Sequence, residues 1–164
     1  MTNDNMVLYN CQQIFLLFIN KMKRLIISDL HLGSYYAKER ELIKFFENND
    51  DFDELILAGD IIDFIKVPLF TEQTAKLFEF VSNFKGTVVY VVGNHDLPFK
   101  SCIGTEIFGV SFTDKYEFEE DGKKFRIEHG DRYEKGIIHK RSLMNIISVF
   151  QDVLERAFKW NLSA

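Results

Sequence analysis

Three stretches decide the reading of this chain: Ile26-Ile27-Ser28-Asp29-Leu30-His31, Leu57-Ala58-Gly59-Asp60-Ile61-Ile62-Asp63 and Val91-Val92-Gly93-Asn94-His95-Asp96. Each is an apolar run rich in β-branched residues that stops abruptly at a polar cluster. Runs of this kind suit strands buried on both faces. Between them lie two helix-like stretches. Residues 36–48 put Leu42, Phe45 and Phe46 on one side. Residues 71–84 place Ala75, Leu77, Phe78, Val81 and Phe84 at mostly helical spacing, behind the cap candidate Thr71 with Thr74 nearby. Strand, helix, strand, helix, strand predicts an α/β sandwich with a largely parallel sheet.

The pattern changes further along. Tyr116 and Phe118 alternate with charged residues, Asp121-Gly122 marks a turn, and Phe125 and Ile127 alternate on the return. This is a hairpin signal that leads into Glu128-His129-Gly130-Asp131. Residues 137–160 carry Leu143, Ile146, Ile147, Phe150, Val153, Leu154, Ala157 and Phe158 at the spacing of an amphipathic helix. If the domain ends there, that face favours self-association, so a homo-oligomer through 137–160 is one expectation.

Composition bounds the rest. The chain has 164 residues, 46% hydrophobic and 27% charged, which excludes wholesale disorder and fits one domain. A net charge of −5 argues against a broad grip on nucleic acid. Cys11 and Cys102 fit neither a disulfide framework nor a zinc spacing, so both are expected as reduced thiols. The run Ile14–Ile19 is far short of the roughly 20 residues a membrane helix needs. It also lacks the flanks of a signal peptide. The expectation is a cytoplasmic protein without a membrane span, free to work at a membrane surface. Met22 precedes the first clear strand, which divides the chain into an appendage (1–21), a core (22–135) and a helical segment (136–164). The alternative for 1–21 is an added edge strand or helix.

Ligands of open α/β sheets gather at the carboxyl ends of the strands, so the three clusters are expected to converge there. Asp29, Asp60, Asp63 and Asp96 brought together would repel one another, and a divalent cation removes that cost. Carboxylate and amide oxygens mixed with imidazole nitrogen suit Mn²⁺, Fe²⁺ or Zn²⁺ better than Ca²⁺ or Mg²⁺ alone. Taken singly, Asp-x-His reads as a turn, Gly-Asp as a helix cap and His129 as a structural histidine. Their joint occurrence, in order and each at a strand end, carries the functional reading.

With these blocks in place, the sequence resembles the calcineurin-like metallophosphoesterase superfamily, whose signature runs Asp-x-His, Gly-Asp-x-x-Asp, Gly-Asn-His-Asp or Glu, a later His and a final Gly-His-x-His. Ser-Asp-Leu-His-Leu-Gly at 28–33 and Glu-His-Gly-Asp at 128–131 look most like the UDP-2,3-diacylglucosamine hydrolase branch. The resemblance implies two divalent metal ions, Mn²⁺ first with Fe²⁺ or Zn²⁺ as alternatives. Asp29 and His31 would serve one, Asn94 and His129 the other, and Asp60 would bridge both. His95 would stabilise or protonate the leaving oxygen, with Asp96 orienting its ring. The implied substrate is a phosphodiester or pyrophosphate, nucleotide- or lipid-linked. The closing Gly-His-x-His block is missing, since only His139 lies beyond His129. The core is therefore expected to be incomplete, with three protein ligands per ion instead of four. That departure keeps a second reading open: a non-catalytic scaffold with this fold, or an inactive fragment of the enzyme. A nuclease of the same superfamily is disfavoured by the acidic balance.

Overall fold

The computed structural model describes residues 5–9, 14–19, 22–65 and 69–133. Their strands form a seven-stranded sheet and a separate two-stranded hairpin. The strands are β1 (Asn5–Tyr9), β2 (Ile14–Ile19), β3 (Met22–Ile27), β4 (Glu54–Ala58), β5 (Thr87–Val91), β6 (Glu106–Ile107), β7 (Val110–Thr113), β8 (Tyr116–Glu120) and β9 (Lys123–Ile127). Helices α1 (Glu39–Asn48) and α2 (Glu72–Ser82) fill two of the crossovers. In the large sheet the order is β1-β2-β3-β4-β5-β7-β6. Its central strands β3, β4, β5 and β7 are mutually parallel, and antiparallel strands close both edges. The expected α/β architecture with a largely parallel central sheet is present. Residues 5–9 and 14–19 extend its edge, β2 pairing with β3 from Ile14↔Ile27 to Ile19↔Met22. The segment 137–160, with its expected helix, lies outside the described residues.

The period-two alternation of the central strands sorts their side chains onto two faces. Leu25, Ile27, Leu55, Leu57, Val88 and Tyr90 join one cluster with Leu42, Phe46 and Leu77 of the helices. Ile56, Ala58, Val89 and Val91 face the other way, where Tyr116, Phe118 and Ile127 of the β8–β9 hairpin cover them. Burial on both faces is why these strands read as continuous apolar runs.

Helix α1 begins later than its hydrophobic periodicity implies, while α2 begins at Glu72 behind the expected Thr71 cap. The stretch after His31 is a turn, and α1 starts at Glu39. In α2, Thr71 and Thr74 form a reciprocal capping box. Both hydroxyls also donate to the buried Glu39 carboxylate, at 2.6 and 2.5 Å, which ties the start of α2 to the start of α1. Thr74 is buried, while Ala75 and Phe78 face outward and Phe80 stacks on Phe46 at 3.9 Å. The apolar stripe of α2 is thus rotated from the one its spacing predicts. Asp121 and Gly122 take φ of 49° and 71°, the left-handed pair that a two-residue hairpin turn requires.

The hairpin matters because it delivers His129. It is pinned to the sheet by a buried ion cluster. Arg24 on β3 donates to Glu54 on β4 at 2.6 Å, pairs with Glu120 on β8, and lies 4.1 Å above the Phe118 ring. Tyr116 donates to Glu54 at 2.5 Å, and burial together with that carboxylate pushes its phenol up to about 12. Removing the cation leaves two carboxylates in a protein interior. We therefore expect Arg24→Ala to cost about 3–5 kcal/mol in urea denaturation, and a loss below about 1 kcal/mol would contradict this account of the hairpin.

Candidate metal centre

The loops that follow β3 and β4 run side by side and continue the parallel ladder. Asp29 N–H donates to Gly59 O at 3.0 Å, His31 N–H to Asp60 O at 3.0 Å, and Leu32 N–H to Ile61 O at 2.8 Å. Asp29, His31 and Asp60 all sit in the left-handed region, with φ of 54°, 47° and 54°. Such a backbone costs of order 1–3 kcal/mol per residue, and the paired loops offset it. It turns alternate side chains of two adjacent strand tips into one space.

Two glycines make the space. Gly59 has φ of 89°, and a Cβ there would lie 2.6 Å from His129 Cγ. A Cβ on Gly93 would overlap the Asp60 carboxylate and backbone amide. The His129 ring and the Asp60 loop can therefore close on the sheet only over bare backbone.

Asp60, 4% exposed, is at the centre. Its Oδ1 accepts from the His95 backbone N–H at 2.8 Å. Its Oδ2 faces His129 Nε2 at 3.3 Å and His95 Nε2 at 3.8 Å. Ligand atoms of Asp29, Asp60 and His129 all lie within 4.8 Å of one another, as do those of His31, Asp60 and His95. Asn94 Oδ1 is 3.0 Å from His129 Nε2. The expected residues thus come together, and Asp60 belongs to both groups. Asp29 and His129 flank it in one group, His31 and His95 in the other.

The acid beside the His95 ring differs from the one expected. Its Nδ1 lies 2.8 Å from Asp63 Oδ1, so Asp63 rather than Asp96 orients the imidazole. Asp96 lies beneath the loops, fully buried, and accepts from backbone amides and from Tyr90. Adjacency in sequence pointed to Asp96, but the backbone sends its side chain inward. Asp63 was visible only as the last residue of the Gly-Asp-x-x-Asp block.

The electrostatics follow from this packing. Burial, helped by His95, pushes the His31 imidazole down, which keeps it neutral with a lone pair to offer. Burial alone would raise the Asp60 carboxyl, but the His129 ring and the His95 backbone N–H outweigh it and hold Asp60 below its ordinary value. Burial likewise works against charge on His95, and the Asp63 hydrogen bond overcomes it, so that ring is raised. His129 is pushed up to about 9, first by its hydrogen bond to Asp60. A proton on His129 thus balances the Asp60 carboxylate, and Asp63 favours the charged form of His95. The donor set, carboxylate oxygen plus imidazole nitrogen with an amide oxygen at hand, fits a borderline divalent cation.

With this geometry in view, the profile of the calcineurin-like phosphoesterase family matches residues 22–158, and the chain belongs to that family. Candidate His and Asp ligand groups for a divalent metal stand at its strand tips. Among solved structures, the chain is similar to the Pseudomonas putida nuclease MPE, at 17% identity and a TM-score of 0.36. The match covers 66% of this chain and 60% of that one. No curated protein matches the chain. No helix among the described residues is long and apolar enough to cross a membrane.

Two predictions arise from the site. His129 has a folded value of about 9 against an ordinary 6.5, so it contributes stability that is present below about 6.5 and lost as pH rises through 9. Chelator-treated protein is expected to lose stability to urea over that window, and His129→Gln to flatten the loss; an unchanged slope in the variant would contradict the Asp60–His129 contact. Gly59→Ala should displace the His129 ring and weaken metal uptake at least tenfold, read by titration with Mn²⁺. Undiminished uptake would show that the ring does not need the bare backbone.

Proposed function

We propose that this chain is a metal-dependent phosphoesterase that holds two divalent cations, Mn²⁺ first with Fe²⁺ or Zn²⁺ as alternatives, and cleaves a phosphodiester or pyrophosphate bond. The observation that carries the reading is the shared position of Asp60 in two ligand groups. Asp29, His31, Asn94 and His129 would complete the two ligand sets around it. A carboxylate has two oxygens to share, and Asn94 adds a neutral oxygen. When bound, such a pair of ions polarises a phosphoryl group and favours ionisation of water.

The remaining work falls to the protein. His31, kept neutral by burial, offers nitrogen without first losing a proton. The His95 Nδ1 lies 2.8 Å from Asp63 Oδ1, and its Nε2 is the atom that would donate a proton to a leaving oxygen. A positioned acid of this kind is worth roughly 10²–10⁴-fold. Asp63 sets the ring orientation and favours its charged form. Asp60 and Asp63 are nearly inaccessible, while Asp29, His31, Asn94 and His95 stay half-exposed at the mouth of the site.

On substrate, the blocks Ser28–Gly33 and Glu128–Asp131 favour a nucleotide- or lipid-linked pyrophosphate of the UDP-2,3-diacylglucosamine type. The net charge of −5 disfavours nucleic acid. The purified chain, loaded with Mn²⁺, is expected to carry close to two ions and to hydrolyse bis(p-nitrophenyl) phosphate. Asp60→Asn should lose both ions together. His95→Gln should keep the metal and lower kcat by about 10²–10⁴-fold. Absence of metal uptake would overturn the reading, and a His95→Gln variant of full activity would remove the assigned acid. Hydrolysis of UDP-2,3-diacylglucosamine, set against a generic diester and single-stranded DNA, tests the substrate class.

A further inference from the structure

The Asp96 carboxylate is wholly buried and accepts from four donors. Tyr90 Oη at 2.7 Å and Ile62 N at 3.1 Å donate to Oδ1. Asp60 N at 2.7 Å and Gly93 N at 3.1 Å donate to Oδ2. Four donors match the four lone-pair directions of a carboxylate. We propose that Tyr90 and Asp96 form a positioning pair for the Asp60 carboxylate, acting through the backbone after β4, and thereby set the affinity of the site for its divalent cation. The inference rests on the metal-dependent reading above.

The placement of the four donors carries the argument. Two of them, the amides of Asp60 and Ile62, belong to the turn in which Asp60 adopts φ of 54°. A third, Gly93 N, belongs to the strand tip that approaches Asp60 closely enough to forbid a Cβ. The carboxylate therefore joins the tips of β4 and β5 at the point where Asp60 is strained. The fourth donor anchors the pair to the core. The Tyr90 ring is buried, stacked on Phe112 at 5.1 Å and edge-on to Phe99 at 5.4 Å. Burial, with Asp96 beside it, pushes the Tyr90 phenol well above its ordinary value, so it keeps its proton as a donor. Neither residue reaches the ligand atoms themselves, and both act through the loop that aims Asp60 Oδ2 at His129. Displacing a partner that holds a ligand in place typically costs 10–100-fold in metal affinity.

A purely structural role makes a different prediction, and Thr74 supplies the comparison. Its hydroxyl too donates to a buried carboxylate, Glu39, but where the starts of the two helices meet rather than at the strand tips. The experiment compares Tyr90→Phe, Asp96→Asn and Thr74→Val, reading Tm in chelator and the Kd for Mn²⁺ by titration calorimetry. We expect Tyr90→Phe to weaken Mn²⁺ binding about tenfold and Asp96→Asn by up to about 100-fold. Thr74→Val should lower Tm while leaving Kd within about twofold. Lower Tm with unchanged Kd in Tyr90→Phe would overturn the positioning role. If Asp96→Asn does not fold, Tyr90→Phe decides alone. Failure of the wild-type chain to take up Mn²⁺, Fe²⁺ or Zn²⁺ is a separate result, which overturns the metal-dependent reading on which the pair depends.

Discussion

Everything in this molecule turns on the Asp60 carboxylate and the imidazoles packed against it. A buried acid beside Asp29 and Asp63 is costly unless positive charge stands nearby. Here the rings stand against the acids, His129 beside Asp60 and His95 beside Asp63, and both are raised toward their charged, protonated forms. The same atoms that share those protons are placed to share a divalent cation. Proton and metal compete for one set of lone pairs, and the geometry for one is the geometry for the other.

The fold exists to keep that arrangement in place. Parallel strands bring several chain reversals to one end of a sheet, and the loops after β3 and β4 stiffen each other by continuing the ladder. Three left-handed non-glycine residues and two glycines that admit no Cβ mark where local conformation gives way to the demands of the site. The opposite end of the sheet carries a different device. The Arg24 cluster fastens the β8–β9 hairpin, so that His129, the one ligand candidate arriving from outside the parallel strands, reaches Asp60 from a fixed base.

Much of this was legible in the chain. Doubly buried strands announce themselves as apolar runs, and Asp121-Gly122 marked its turn by chemistry alone. The Thr71 cap was equally plain. Asp29, His31, Asp60, Asn94, His95 and His129 stood out because each ends a strand. What sequence could not supply was direction. Asp63 and Asp96 are both buried acids that close their blocks, and only the backbone shows that Asp96 points under the loops and Asp63 at His95. The stripe of α2 was rotated because Thr74 satisfies a buried Glu39, an interaction between residues 35 apart. β6 and β7 carry too few residues to give a periodic signal, and β1 and β2 depend on the edge offered by β3.

The central claim is that groups from separate strand tips share divalent cations about Asp60. An anomalous-difference map from crystals soaked in Mn²⁺, collected near the manganese edge, tests it most directly. The account predicts two peaks flanking the Asp60 carboxylate, one toward Asn94 and His129 and one toward His31. A map with no peak at Asp60, from crystals that bind Mn²⁺ elsewhere, would contradict it.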